Sequence, residues 1–328
     1  MTRSSGTSIW NGVLVAITTP FLPDGAIDHA TYVNHARWLV EHGVDGLVVA
    51  GSLGEGAALS SEERASLVAD LAAALPERVT LVAAVGALRT ADAVAQARRA
   101  ATEGARGLLV LPPYVYRGDR AETAAHFGDV FRATDLPCML YNNPSAYGTD
   151  VGPEEVLGLV EEHSSLQAVK ESSGDVRRIT ALRALLGERI EVAVGLDDAL
   201  LEGVGAGAAG WVAGLANAFP DESVALFDAA RRGESGPASE LYRWFLPLLR
   251  MDSAPKFVQQ IKLIESEVGL GPARVRPPRL ELAGDERAAV LETLRDGLAH
   301  RPAGRGARAT ASASPVGPRA GLEGADRR

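Results

Sequence analysis

Lysine is almost missing from this sequence: Lys170, Lys256 and Lys262 stand against thirty arginines in 328 residues. Arginine keeps its proton at any working pH, whereas a desolvated lysine can shed one and attack a carbonyl carbon. In such a chain each remaining lysine is a candidate for chemistry that arginine cannot do. Cysteine is scarcer still. Cys138 stands alone in an apolar run, which excludes an internal disulfide and a cysteine zinc cluster. The net charge of −9 argues against nucleic acid or an anionic membrane as partner. No apolar run reaches membrane-spanning length, and Met1 to Ser8 has no signal-like apolar stretch, so a cytoplasmic protein is expected. The six histidines (29, 35, 42, 126, 163 and 300) lie mostly in polar helical stretches. No pair of them has zinc-binding spacing, so no metal site is expected.

What the chain does have is a repeated pattern of short apolar runs. Eight recur: Gly12–Thr18, Gly46–Gly51, Thr80–Gly86, Gly107–Pro112, Pro137–Asn142, Leu166–Glu171, Ile190–Gly195 and Gly210–Gly214. Unbroken Val, Leu, Ile and Ala, without alternation, marks strands buried on both faces. Helix signals fill the gaps. Asp28 opens a segment that Gly43 closes, Ser60 to Glu63 and Asp119 to Glu122 form capping boxes, and Pro153 suits a first turn. Thr90 and Asp175 start two more. Eight β-then-α units over residues 10–219 predict a (β/α)8 barrel. Residues 220–300 read as a C-terminal helical appendage, with breaks at Gly233–Pro237, Ser253–Pro255 and Gly269–Pro278. Residues 1–9 read as a flexible N-terminus and 301–328, rich in Ala, Gly, Arg, Pro and Ser, as a disordered tail.

Several attractive motifs carry little. Gly205-Ala-Gly-Ala-Ala-Gly210 matches a dinucleotide fingerprint but precedes a strand, so a helix end and tight turn is the better reading. Asp197-Asp198 reads as helix capping, since no third ligand lies nearby. Arg98-Arg99 and Arg177-Arg178 read as solvated helix faces. Ala50-Gly-Ser52-Leu-Gly54 resembles a hydrolase nucleophile elbow, yet the loops after the seventh and eighth runs contain no histidine to serve it.

Chemistry in a (β/α)8 barrel gathers at the C-terminal ends of the strands. Those ends present Gly51-Ser-Leu-Gly-Glu55, Pro112-Pro-Tyr-Val-Tyr116, Tyr141-Asn-Asn-Pro144, Lys170 and Gly195-Leu-Asp-Asp198. A lysine, a tyrosine and a serine thus share one mouth, with glycine-flanked backbone beside them. Lys170 ends an apolar strand-length run and opens a Ser/Gly/Asp loop.

From about Trp10 to about His300 the sequence resembles the dihydrodipicolinate synthase / N-acetylneuraminate lyase family of class I aldolases. The resemblance rests on Gly51-Ser-Leu-Gly-Glu55 for G-[ST]-x-G-E, Tyr141-Asn-Asn-Pro144 for Y-N-x-P, and Val169-Lys-Glu-Ser-Ser-Gly-Asp175 for the Schiff-base segment. It implies that Lys170 forms an imine with pyruvate or another 2-oxo acid and that Tyr141 shuttles protons. It also implies that Ser52 hydrogen-bonds Tyr141 and that the Ser52 and Leu53 amides hold the carboxylate. Ser52, Leu53, Tyr114, Ala146 and Val212 are the expected substrate contacts. No cofactor is expected, the partners being a 2-oxo acid and an aldehyde, and the assembly a homo-oligomer, dimer or tetramer.

The departures from the family pattern bear on the substrate. Leu53 stands where synthases have a second threonine, Ala146 where they have an arginine for aspartate semialdehyde, and Tyr114-Val-Tyr116 where they pair two tyrosines. An uncharged acceptor is therefore expected unless another arginine, Arg117 being nearest in sequence, reaches in. Aldol cleavage or condensation of a 2-oxo-3-deoxy acid is the leading reading, with Schiff-base dehydration or deamination and the family's synthase reaction as alternatives. A non-enzymatic binding barrel fits poorly with an intact Lys170 and Tyr141.

Overall fold

The structure, a computed structural model, describes residues 8–302. Most of the tail and most of the N-terminal segment read from the sequence lie outside these described residues. All eight apolar runs are strands: β1 (Gly12–Ala16), β2 (Gly46–Val49), β3 (Thr80–Val85), β4 (Gly107–Val110), β5 (Cys138–Asn142), β6 (Leu166–Glu171), β7 (Glu191–Val194) and β8 (Gly210–Ala213). They pair in parallel in chain order and β8 returns to β1, closing the barrel. Nearly every strand residue is buried, as unbroken apolar composition requires of a sheet covered on both faces.

The helices are α1 (His29–Glu41), α2 (Ser61–Ala74), α3 (Thr90–Thr102), α4 (Arg120–Phe131), the short α5 (Pro144–Tyr147), α6 (Pro153–Glu162), α7 (Arg177–Leu186), α8 (Leu200–Gly205), α9 (Pro220–Arg231), α10 (Ser235–Leu249), α11 (Phe257–Glu267) and α12 (Gly284–Ala299). The caps work as read: Asp28 accepts the Thr31 N–H, and both capping boxes are closed reciprocally. Gly205–Gly210 is the turn from α8 into β8. A Cβ on Gly210 would strike the Trp10 carbonyl, so this glycine lets β1 and β8 approach. The eighth βα unit runs across the boundary at residue 219, because α9 packs on α8 and β1. Pro237 lies inside the first turn of α10, where proline is tolerated.

Two surface readings are corrected. His35, His126 and His163 are buried, and His35 donates to the Asn217 carbonyl at 2.8 Å while burial pushes it down to about 4. Their helices are amphipathic, and these rings fall on the inner side. Arg178 is half-buried and paired bidentately with Asp150 at 2.6 and 2.7 Å, unlike the exposed Arg177. Among the described residues no helix is long and apolar enough to cross a membrane.

A buried ion pair joins the barrel to α11. Glu55, after β2, is fully buried. It takes the Lys262 ammonium of α11 at 2.8 Å and the Arg276 backbone N–H at 2.9 Å. Lys262 also donates to the Thr19 carbonyl at 2.8 Å and lies over the Phe21 ring. Breaking a buried pair from one side strands a charge, at a cost of about 3–5 kcal/mol. Lys262→Met should lose stability on that scale in urea unfolding, and adding Glu55→Gln should restore most of it. An unchanged unfolding midpoint in Lys262→Met would show that the pair carries no such weight.

Candidate active site

The β5–β6 ladder sets the centre of the site. Tyr141 and Lys170 are register partners at the C-terminal ends of these strands, so their side chains enter the barrel side by side. Lys170 is buried and its Nζ stands 4.1 Å from the centroid of the Tyr141 ring. Each residue of the Tyr141–Pro144 motif has a task. Asn142 bonds Glu171 (3.1 Å) and the Val151 N–H (3.0 Å), fixing the loop. Asn143 caps α5 through the Ala146 N–H and donates to the Tyr141 hydroxyl at 3.2 Å. Pro144 opens the helix at its first position.

Ser52 departs from expectation. Its hydroxyl bonds Tyr147 and not Tyr141. The turn of α5 carries Tyr147 back over the end of β2, and its ring stacks edge-on to Tyr141 at 5.6 Å. Burial first, and then the neighbouring Tyr141, raise the Tyr147 phenol well above its ordinary value. Sequence reasoning passed over Tyr147, although it lies six residues beyond Tyr141 in the same segment.

The Ser52 loop is held rigidly. Ala50 and Glu55, at its two ends, adopt left-handed backbone (φ 56° and 54°) that non-glycine residues rarely take. Arg64 of α2 donates to the Gly56 carbonyl, and Glu55 is locked by Lys262. The turn closes by Glu55 N–H to Ser52 O and Gly56 N–H to Gly51 O, leaving the Ser52 and Leu53 amides out of these bonds. Two free amides on a fixed turn suit a carboxylate.

Lys170, Tyr141, Ser52, Leu53, Ala146 and Val212 line one cavity of about 650 Å³. Tyr114 does not. It is 36% exposed and lines an adjoining pocket of about 180 Å³, its ring 6.3 Å from Tyr147, because the loop after β4 swings outward. The C-terminal segment adds two ionic groups that neither spacing nor composition marked. Arg279 reaches the cavity beside Ala146, its guanidinium no closer than 3.8 Å to a carboxylate, that of Glu55. Arg117 instead lies against Gly148, outside the cavity. The second arginine left open by the sequence is therefore Arg279 and not Arg117. Asp252, between α10 and α11, opens its carboxylate onto the same cavity. Asp197 proves to be a cap of another kind. Fully buried, it accepts from the Trp211 indole (2.9 Å) and the Leu215 (2.7 Å) and Gly214 (3.1 Å) amides, closing the 3₁₀ turn after β8. Burial pushes its acid up to about 6 against those donors.

Residues 10–296 match the dihydrodipicolinate synthetase family. The chain is 40% identical over 230 residues (70% of this chain and 76% of the relative) to the 4-hydroxy-tetrahydrodipicolinate synthase of Xanthomonas campestris. It is 34% identical over 296 residues (90% and 94%) to the one from Acidothermus cellulolyticus. Among solved structures, dihydrodipicolinate synthase from Aquifex aeolicus superposes with a TM-score of 0.84 at 27% identity, covering 87% of this chain and 97% of that one. A prophage protein of the dihydrodipicolinic acid synthase family from E. coli K12, in complex with pyruvate, gives 0.84 at 26% identity, covering 89% and 99%.

Gly195 tests the packing around Lys170. A Cβ there would overlap the Ser172 hydroxyl and come within 2.8 Å of Lys170 Cε, so the lysine holds its position only beside a glycine. Gly195→Ala should slow imine formation with pyruvate at least about tenfold, as expected when a reacting group is misplaced. Borohydride trapping at timed intervals measures it, and wild-type trapping rates would refute the constraint.

Proposed function

This chain belongs to the dihydrodipicolinate synthetase family, Schiff-base, pyruvate-dependent lyases of the class I aldolase type, and on that footing we propose the roles of its own side chains. Lys170 is the nucleophile. Its amine adds to C2 of pyruvate or another 2-oxo acid, water leaves, and the iminium draws electrons from C3. Loss of a C3 proton gives the enamine, whose C3 attacks an aldehyde carbon; the resulting alkoxide takes a proton, and hydrolysis frees the lysine. Cleavage of a 2-oxo-3-deoxy acid is the same path reversed. Tyr141, beside Lys170, is suited to move the proton at the forming bond. The Ser52–Tyr147 pair offers a proton path at the β2 side, and the Ser52 and Leu53 amides a seat for the carboxylate.

The observation that carries this reading is the fate of the three lysines. Lys262 is locked to Glu55 and Lys256 is paired with Glu286 on the surface, whereas Lys170 enters the cavity beside Tyr141. Pyruvate with borohydride should therefore add a single adduct on Lys170, read by mass spectrometry of the digested chain. Labelling on Lys256 or Lys262, or no adduct with any 2-oxo acid, would defeat the assignment. Tyr141→Phe should keep the adduct but slow turnover about 10²–10⁴-fold.

The second substrate follows from Arg279, which stands in for the arginine absent at Ala146. The relatives' synthase reaction, in which pyruvate meets aspartate semialdehyde, thus keeps a cation for the acceptor's carboxylate. A charge-assisted contact of about 1.5–3 kcal/mol corresponds to roughly one to two decades in specificity. Arg279→Ala should lose that much kcat/KM with aspartate semialdehyde and little with an uncharged aldehyde. Equal losses on both would remove the anchoring role. The dimer or tetramer that the family resemblance implies belongs to the same proposal, supported by the exposed Val115 and Tyr116 after β4.

A further inference from the structure

Asp252 has no part in the reaction as described so far, yet its carboxylate faces the reacting cavity without a partner. Among the described residues no side-chain or backbone donor bonds it, although the lining of this cavity includes Lys170, Tyr141 and Ser172. Its neighbour Asp197, by contrast, is satisfied by three donors. The room for Asp252 is supplied by Gly214 at the end of β8, where any Cβ would overlap the carboxylate. The group is therefore held over the β7–β8 side of the cavity, away from the Ser52 turn on β2 that suits the substrate's C1 carboxylate.

Resting on the Schiff-base reading, we propose that Asp252 is a second catalytic acid of this site. It donates its proton to a hydroxyl or amino group on C4 of the Lys170-bound 2-oxo acid. The 4-hydroxy-2-oxo acid that the aldol step leaves on Lys170 is then, with its 4-amino analogue, the substrate class of a further step, an elimination. Tyr141, having given its proton to the water lost as the iminium formed, takes the C3 proton, and the enamine results. The C4–O or C4–N bond then breaks toward the leaving group, which takes the Asp252 proton and departs as water or ammonia. A conjugated iminium and an Asp252 carboxylate remain, and hydrolysis releases the 2-oxo-3-enoic acid. No oxidant or reductant is required.

The charge state of Asp252 agrees with this use. The ionisable groups facing it are Asp197 and Asp198 from the loop after β7 and Lys170 from β6. Enclosure by protein, then the Asp197 carboxylate, hold the acid well above the ordinary carboxylate range; Lys170 pulls the other way and Asp198 adds to the rise. An acid that must be protonated to act loses activity as pH rises through its raised value, so an alkaline limb is expected in the rate profile.

The test compares Asp252→Asn with the wild type on a 4-hydroxy-2-oxo acid and on its 4-fluoro analogue, whose leaving group departs as an anion without being protonated. Both proteins should form the Lys170 adduct with pyruvate and borohydride. Asp252→Asn should eliminate water about 10²–10⁴-fold more slowly, lose the alkaline limb, and expel fluoride within a few-fold of the wild type. Equal slowing of both leaving groups would make Asp252 a structural residue and overturn the proposal. So would an unchanged rate and pH profile, or wild-type products consisting only of pyruvate and an aldehyde. In those cases the adduct would still form and the Schiff-base reading would stand, whereas absence of any wild-type adduct would remove both.

Discussion

The buried Glu55–Lys262 pair is the constraint on which the working face of this barrel depends. Glu55 sits in a left-handed conformation at the end of the Ser52 turn, a position it would leave readily were its carboxylate free. Lys262 holds it from α11, and the Arg276 amide holds its second oxygen. Arg276 in turn reaches the Gly25 carbonyl at 2.7 Å and Glu63 at 2.6 Å. The segment between α11 and α12 is thus bound to the loops at the mouth. That binding delivers Arg279 to the cavity. A buried pair is weak evidence for stability as such, but here it fixes the register between two parts of the chain.

The fold was legible because the barrel imposes a strong pattern. Strands covered on both faces must be unbrokenly apolar, and all eight were, so their order and ends followed. Lys170 and Tyr141 were legible for a related reason: a polar residue closing an apolar strand has few places to point. The partner of Ser52 was not. Tyr141 and Tyr147 lie in one segment, and only the handedness of the α5 turn decides which hydroxyl meets β2. Asp252 and Arg279 were beyond reach, since they come from loops in the helical segment where neither spacing nor composition signals a destination. His35 and His163 show the same limit, because a ring at an amphipathic boundary turns inward or outward according to the partner it finds.

The site combines a fixed floor with a wall drawn from elsewhere. The floor, on β2, β5 and β6, is set by the ladder and by rigid turns, and it carries Ser52, Tyr141 and Lys170. The wall comes from the loops flanking α11, and it carries the ionic groups Asp252 and Arg279. Such a division lets one part vary while the other keeps its geometry, as expected of a scaffold whose loops carry function.

The shortage of lysine has a consequence for the protein's own integrity. Aldehydes and 2-oxo acids condense with accessible primary amines wherever they meet them, and an enzyme that handles such compounds is exposed to them at every turnover. Arginine solubilises the surface without offering an unprotonated amine. With Lys262 enclosed and only Lys256 on the surface, where it pairs with Glu286, a surface charged almost wholly by arginine offers carbonyl compounds few amines to attack.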